Sequence, residues 1–421
     1  MISKLSNIIK NRHYQTLFLL FFSAFFICIR EPDVFIYSRL WTEEGVVFLH
    51  NAWVMPPLKA LFYSYAGYLN FATNGATLVA RWSVPLLYVP YVTTIIGLLF
   101  QLLPLFLLLT TKDEWLNSTR ARVFATLLLL LVPDSLETSL QSLHIQFYLS
   151  LSVCIIMILN TDKTYLRWIK LIILIVSAIS GLMAFLLLPL YGLKMLIDRK
   201  WLRTEQFFTL FIGCIIQYSF FYEKISTRSY HFHIQDFLGI LFSRDIIIPF
   251  FGYNHLTDLY LHQLQNQNAH HFLMLSCILC IITLGYILFC FYKYPPSRLS
   301  IFFLLSALIL LATSIFGALG DLTWFYIGHV NQRYIFISQS LLCLMLLYFS
   351  YTLSNKGKVV CNVLIIWLIF VGFFNFFSMT YTNEHLTPWR TQVHLWQGKP
   401  DYVFQLWGGD GWKMTLPPNN N

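Results

Sequence analysis

Charge is what this sequence has least of. Asp, Glu, Lys and Arg make up 11% of its 421 residues, against 57% hydrophobic and 18% aromatic. A soluble domain carries about 25% charged residues, and with a mean hydropathy of +0.63 the composition excludes an ordinary soluble globule. The chain reads as a polytopic membrane protein. Cysteine outside apolar segments is also lacking. All eight cysteines fall in apolar runs, which excludes an extracellular disulfide framework and a loop zinc ribbon. Cys277 and Cys280 form a C-x-x-C, but one helical turn apart they read as small apolar side chains sharing a face.

Apolar runs able to cross about 30 Å of hydrocarbon, with shorter ones that suffice where the bilayer thins, predict eleven spans. They lie at roughly 15–30, 85–110, 121–133, 143–160, 167–180, 181–197, 206–222, 271–292, 299–319, 333–353 and 358–377. The fifth and sixth come from one long run, split at Ser180–Gly181 because basic residues flank both of its ends. Lys4, Lys10 and Arg12 precede the first run as in a signal peptide. With no small-residue cleavage site after it, an uncleaved first span is expected. On this topology 17 of the 28 Lys and Arg share the side of the N-terminus, while 14 of the 19 Asp and Glu and 11 of the 12 His lie opposite. The positive-inside rule makes the first side cytoplasmic and the second, which holds the C-terminus, the outer side. The net charge of +9 is therefore a topology signal and not a nucleic-acid one.

The predicted spans lack Asp, Glu, Lys, Arg and His at their centres. An ion-coupled transporter places such groups at midplane, and no internal repeat suggesting alternating access is visible. Both absences weigh against transport. The long segments 31–84, 223–270 and 378–421 all fall on the outer side, so chemistry is expected there.

Five outer constellations stand out. In "SRLWTEEGVVFLHNAW" Thr42 is expected to cap a helix whose first turn carries Glu43 and Glu44, bracketed by Arg39 and Trp41. Successive helical residues diverge by about 100°, so one acid serves as a base and the other as its support. In "PDSLETSLQSLHIQ" Asp134 is expected to cap a helix that puts Glu137, Gln141 and His144 on one face, where they could hydrogen-bond a sugar. In "RSYHFHIQDFLGILFSRDIIIPFFG" two apolar runs too short to span are broken by Arg244 and Asp245, predicting a re-entrant or interfacial segment. Arg228 and Arg244 are candidates for a lipid phosphate there. His231 and His233, with His255, His262, His270 or His271, could hold a divalent metal, although H-x-H is a weak signal. In "GDLTWFYIGHVNQRYIF" Asp321, His329, Gln332, Arg333 and Tyr334 cluster where a late span opens, and Arg333 can fork onto a phosphate. The tail from Thr380 carries Trp389, Trp396, Trp407 and Trp412, which suit sugar stacking or interfacial anchoring.

The acidic pair "WTEEG" in the first outer loop, the broken middle loop and "NQRY" opening a late span make the chain resemble the GT-C superfamily of integral membrane glycosyltransferases. In size and layout it is similar to the phage-type O-antigen glucosyltransferases. The resemblance implies an all-α polytopic membrane protein with a bundle over 1–377, including outer loops 31–84 and 223–270, and an outer tail over 378–421. It implies transfer of one hexose from a polyprenyl-phosphate carrier to a cell-surface polysaccharide such as O-antigen, or to a lipid-linked glycan, on the periplasmic face. Glu44 or Glu43 would be the base, with Arg333, Arg81, Arg244 and Arg228 on the donor phosphate. Glu137, Gln141, His144, Tyr334 and Trp41 would meet the acceptor or sugar. Competing readings are a lipid-linked oligosaccharide flippase, which needs a hydrophilic cavity through the bundle, and an O-antigen polymerase or ligase, which needs no acidic first loop.

Overall fold

The computed structural model describes residues 12–160, 164–221, 233–266, 270–318, 322–378, 387–409 and 411–418. Arg228, His231 and Asp321 lie outside the described residues, as do Lys4 and Lys10. The described residues are predominantly helical. The helices include α1 (Arg12–Arg30), α2 (Phe71–Ser83), α3 (Val89–Thr110), α4 (Ile145–Ile158), α5 (His270–Lys293), α6 (Gln332–Thr352) and α7 (Asn355–Ser378). Among the described residues five segments are long and apolar enough to cross a membrane: α1, α3 with its preceding turn (Leu86–Thr110), α5, α6 and α7. They coincide with five of the expected spans. The other expected spans are occupied by helices that do not meet that standard. One run breaks at Ser180–Gly181, leaving Thr164–Ala178 and then Met183–Leu186 and Leu188–Asp198.

Helix α4 is apolar all round, and 13 of its 14 residues are buried, Gln146 being the exception. Such a helix belongs at the centre of a bundle, and α6 lies beside it with 78% of its span buried. Helices α1 and α5 are the opposite case, with 22% and 17% buried. They expose Phe18, Phe21 and Phe25, and Ile278, Ile281 and Ile282, side chains that suit contact with lipid tails. Hydrocarbon gives no hydrophobic drive for helix association, so close packing and polar ties must supply it. Gly97 of α3 shows the first: a Cβ there would come within 2.6 Å of the Gln141 backbone. Arg203 shows the second, donating to Asp198 Oδ2 at 2.9 Å, Leu159 O at 3.0 Å and Asn160 Oδ1 at 2.9 Å.

The tail packs against the segment that follows α1 and shares its core. Trp389, Trp396, Phe404, Leu406 and Leu416 bury against Leu40, Leu49, Leu86 and Val89. Trp389 Nε1 donates to Leu86 O at 3.0 Å, and Trp407 N to Leu40 O at 2.9 Å. A two-residue ladder pairs Phe404–Gln405 with Lys413–Met414. Gly45 lets the tail approach closely here: a Cβ would stand 2.6 Å from Leu406 Cδ1, and that side chain would have to shift.

Candidate functional site

The turn between residues 131 and 145 organises this end of the molecule. Pro133–Thr138 forms a 3-10 segment, Leu140 takes a positive φ of 52°, and α4 starts only at Ile145. The expected helix over Glu137, Gln141 and His144 is therefore absent, because the left-handed residue at 140 reverses the chain. Its polar groups tie the surrounding elements together. Ser135 accepts from Arg30 Nη1 at 2.8 Å, Thr138 bonds Tyr148 at 2.9 Å, and Leu140 N donates to Gln101 Oε1 at 3.2 Å. Gln141 Nε2 donates to the Glu137 carbonyl at 2.5 Å, and His144 Nδ1 lies 2.7 Å from the same oxygen. Gln141 and His144 are buried and shape the turn from inside.

The two adjacent acids have separate environments. Trp41 N donates to Glu44 Oε2 at 3.0 Å, the backward bond of a capping box. Ser142 N donates to Glu44 Oε1 at 3.1 Å, and the Ser142 hydroxyl bonds the same oxygen. Glu44 is 1% exposed. Burial pushes its carboxyl above the ordinary range, while the bonds from Ser142, Trp41 and Thr93 pull it back. Glu43 instead is half-buried and held by the Thr42 hydroxyl, which donates to Oε2 at 2.5 Å. Thr42 thus does not cap the helix; its hydroxyl fixes Glu43. The following residues, Glu44–Leu49, form a wide i→i+5 turn, a distortion that recurs at functional positions.

Glu43 faces a group of polar side chains drawn from four elements. The Arg333 guanidinium pairs with Glu137 through Nη1, and Arg333 N donates to Glu137 Oε2 at 3.1 Å. Arg333 Nη2 reaches Tyr334 Oη at a long 3.4 Å, and the side chain is 30% exposed. Glu43 and Glu137 both act electrostatically on Arg333. Tyr68, from the two-stranded hairpin Ser64–Tyr65 with Tyr68–Leu69, joins them. Burial holds its phenol above the ordinary value, opposed by a bond to Gln146, and it feels the fields of Tyr334, Glu43 and Arg333. The one unburied position of α4 therefore faces this group. A Cβ at Gly181 would run into the Gln146 amide.

Other candidates have different places. Arg244 is fully buried and all of its nitrogens are engaged. Nη2 and Nε meet Asp134 Oδ1 and Oδ2 at 2.9 and 3.4 Å, and Nη1 meets Phe325 O and Ile327 O at 3.0 and 3.2 Å. It ties the middle loop to the turn and has no donor left for a lipid phosphate. Nor does it break its helix: Ile234–Phe242 runs through a wide turn, Ser243–Ile247, into Ile248–Phe251. Arg81 stacks on Trp53 at 3.9 Å, near the end of α2 remote from Tyr68, about 15 Å along the axis at 1.5 Å per residue. Trp41 is buried beside Trp407. Among the described residues no three His, Cys, Asp or Glu side chains gather as a metal site. Tyr68, Gln146 and Glu31 were not anticipated. For Tyr68 a signal existed in "YAGY", where Ala66 and Gly67 both take positive φ as in a tight hairpin turn.

Comparison with family models, curated proteins and solved structures gives no match to this chain.

Proposed function

We propose that the chain is an integral membrane glycosyltransferase that moves one hexose from a polyprenyl-phosphate carrier to a cell-surface polysaccharide such as O-antigen, on the periplasmic face of a bacterial inner membrane. The observation that carries this reading is the division of labour in the acidic pair. Glu44 is sealed in and saturated with donors, whereas Glu43 is half-exposed beside an arginine and two tyrosines. A general base must reach a substrate hydroxyl, and of the two acids only Glu43 has the room.

In this mechanism Glu43 takes the proton from an acceptor hydroxyl as its oxygen attacks the anomeric carbon of the donor sugar. The bond from that carbon to the phosphate oxygen breaks, and the polyprenyl phosphate leaves. Arg333, steadied along one edge by Glu137, offers its remaining nitrogens to the charge growing on the phosphate. Tyr68 and Tyr334 supply hydroxyls for sugar or phosphate oxygens. Radiolabelled polyprenyl-phosphate hexose incubated with membranes containing the protein tests the reading. Transfer of a single sugar to a glycan acceptor is expected. Block transfer of an oligosaccharide, or no transfer to any glycan, overturns it.

A further inference from the structure

We infer that the cavity at the Arg30 end of α1 is a subsite for one pyranose unit of a glycan, and, resting on the reaction proposed above, that it holds the acceptor. The cavity measures about 240 Å³, below the 300–1,000 Å³ typical of drug-sized ligands, so it suits a single ring. Arg30, Glu31, Trp41 and Trp407 line it, with Pro32 and Asp33 at its open edge.

Glu31 is 3% exposed. Neither of its carboxylate oxygens meets hydrogen-bond geometry with a donor among the described residues, although the Ser139 hydroxyl is close enough to favour the charged form. A buried carboxylate with so few donors is costly, and its remaining lone pairs call for hydroxyl or N–H groups from a ligand. Trp407 Nε1 is likewise buried without an acceptor among the described residues. The Trp41 and Trp407 rings stand 5.9 Å apart at 32° and give the cavity an apolar wall. A carboxylate acceptor, an indole donor and an aromatic wall match a ring with hydroxyls at its rim and C–H bonds on its face.

The two places are linked through the backbone. Thr42 N donates to Trp407 O at 3.1 Å, and Glu43 follows Trp41 by two residues. A glycan unit seated against the tryptophans would leave its neighbour in the same glycan beside Glu43.

The test is binding without turnover. The purified full chain in lipid nanodiscs is titrated with soluble di- to tetrasaccharides of hexoses, deoxyhexoses and N-acetylhexosamines, read by ligand-observed saturation-transfer NMR. At least one saccharide should bind saturably. Glu31→Gln, which keeps the side-chain shape, should weaken that binding about tenfold, as expected for a charge-assisted bond, and Trp407→Phe should weaken it about threefold. Binding of none of them, binding of glycerophosphocholine in their place, or a Glu31→Gln affinity within twofold of wild type overturns the subsite. A chain that binds saccharide in this way but transfers no sugar keeps the subsite and loses the reaction. A chain that transfers sugar with Glu31→Gln binding unimpaired keeps the reaction and loses the subsite.

Discussion

Removing the Glu44 carboxylate should cost stability, and removing that of Glu43 should not. Glu44 accepts from two buried backbone donors, Trp41 N and Ser142 N, and from the Ser142 hydroxyl. Alanine leaves both N–H groups without an acceptor, in a space cut off from bulk solvent, since the side chain is 1% exposed. Each orphaned buried donor costs about 1–3 kcal/mol, so Glu44→Ala should lose roughly 2–6 kcal/mol. Glutamine keeps one acceptor oxygen but turns an amide N–H toward the other donor, a loss of about 1–3 kcal/mol, offset in part because no charge is buried any longer. Glu43 is half-buried and hydrogen-bonded to its neighbour Thr42, so Glu43→Gln should stay within about 0.5 kcal/mol of wild type. Unfolding in detergent micelles, followed by the fluorescence of the 12 tryptophans, reports on the site directly, since Trp41 and Trp407 flank it. A Glu44→Ala protein as stable as wild type, or a Glu43→Gln protein as damaged as Glu44→Ala, refutes the reasoning.

Three further outcomes follow from the same geometry. Burial lifts the Glu31 carboxyl from its ordinary 4.5 to about 7, with Arg30 and Ser139 pulling the other way. Its contribution to stability is therefore full below pH 4.5 and is lost as pH rises through 7. The loss amounts to roughly 3 kcal/mol, and the unfolding curve of Glu31→Gln should lack it across that window. Arg244→Met strands Asp134 as an unpaired buried charge and should destabilise by about 3–5 kcal/mol, with Asp134→Leu in the same chain restoring part of the loss. Gly97→Ala forces a methyl group to within 2.6 Å of the Gln141 backbone and should cost about 1–3 kcal/mol, seen as a lower melting temperature.

Hydropathy made the long helices legible, because a run such as that of α3 or α7 satisfies length and composition whatever surrounds it. It did not separate buried α6 from exposed α5, since both runs are apolar. Glu43, Glu44, Arg333 and Tyr334 could be picked out as polar groups at apolar boundaries. Which acid is sealed in could not, because that depends on Ser142, 98 residues away in sequence. Helical spacing fails for Glu137, Gln141 and His144 because Leu140 takes a positive φ that no side-chain pattern announces. Arg244 looked like a phosphate ligand because its partner, Asp134, lies 110 residues earlier. Glu31 and Trp407 share a cavity only because the tail folds back onto the segment that follows α1.

The central claim is that Glu43, and not its buried neighbour, takes the acceptor proton. It is tested most directly by single-turnover transfer from polyprenyl-phosphate hexose by Glu43→Gln protein whose melting temperature matches wild type. The account predicts a rate at least 10²-fold slower, the scale of a lost general base. A folded Glu43→Gln protein that transfers hexose at the wild-type rate would contradict it.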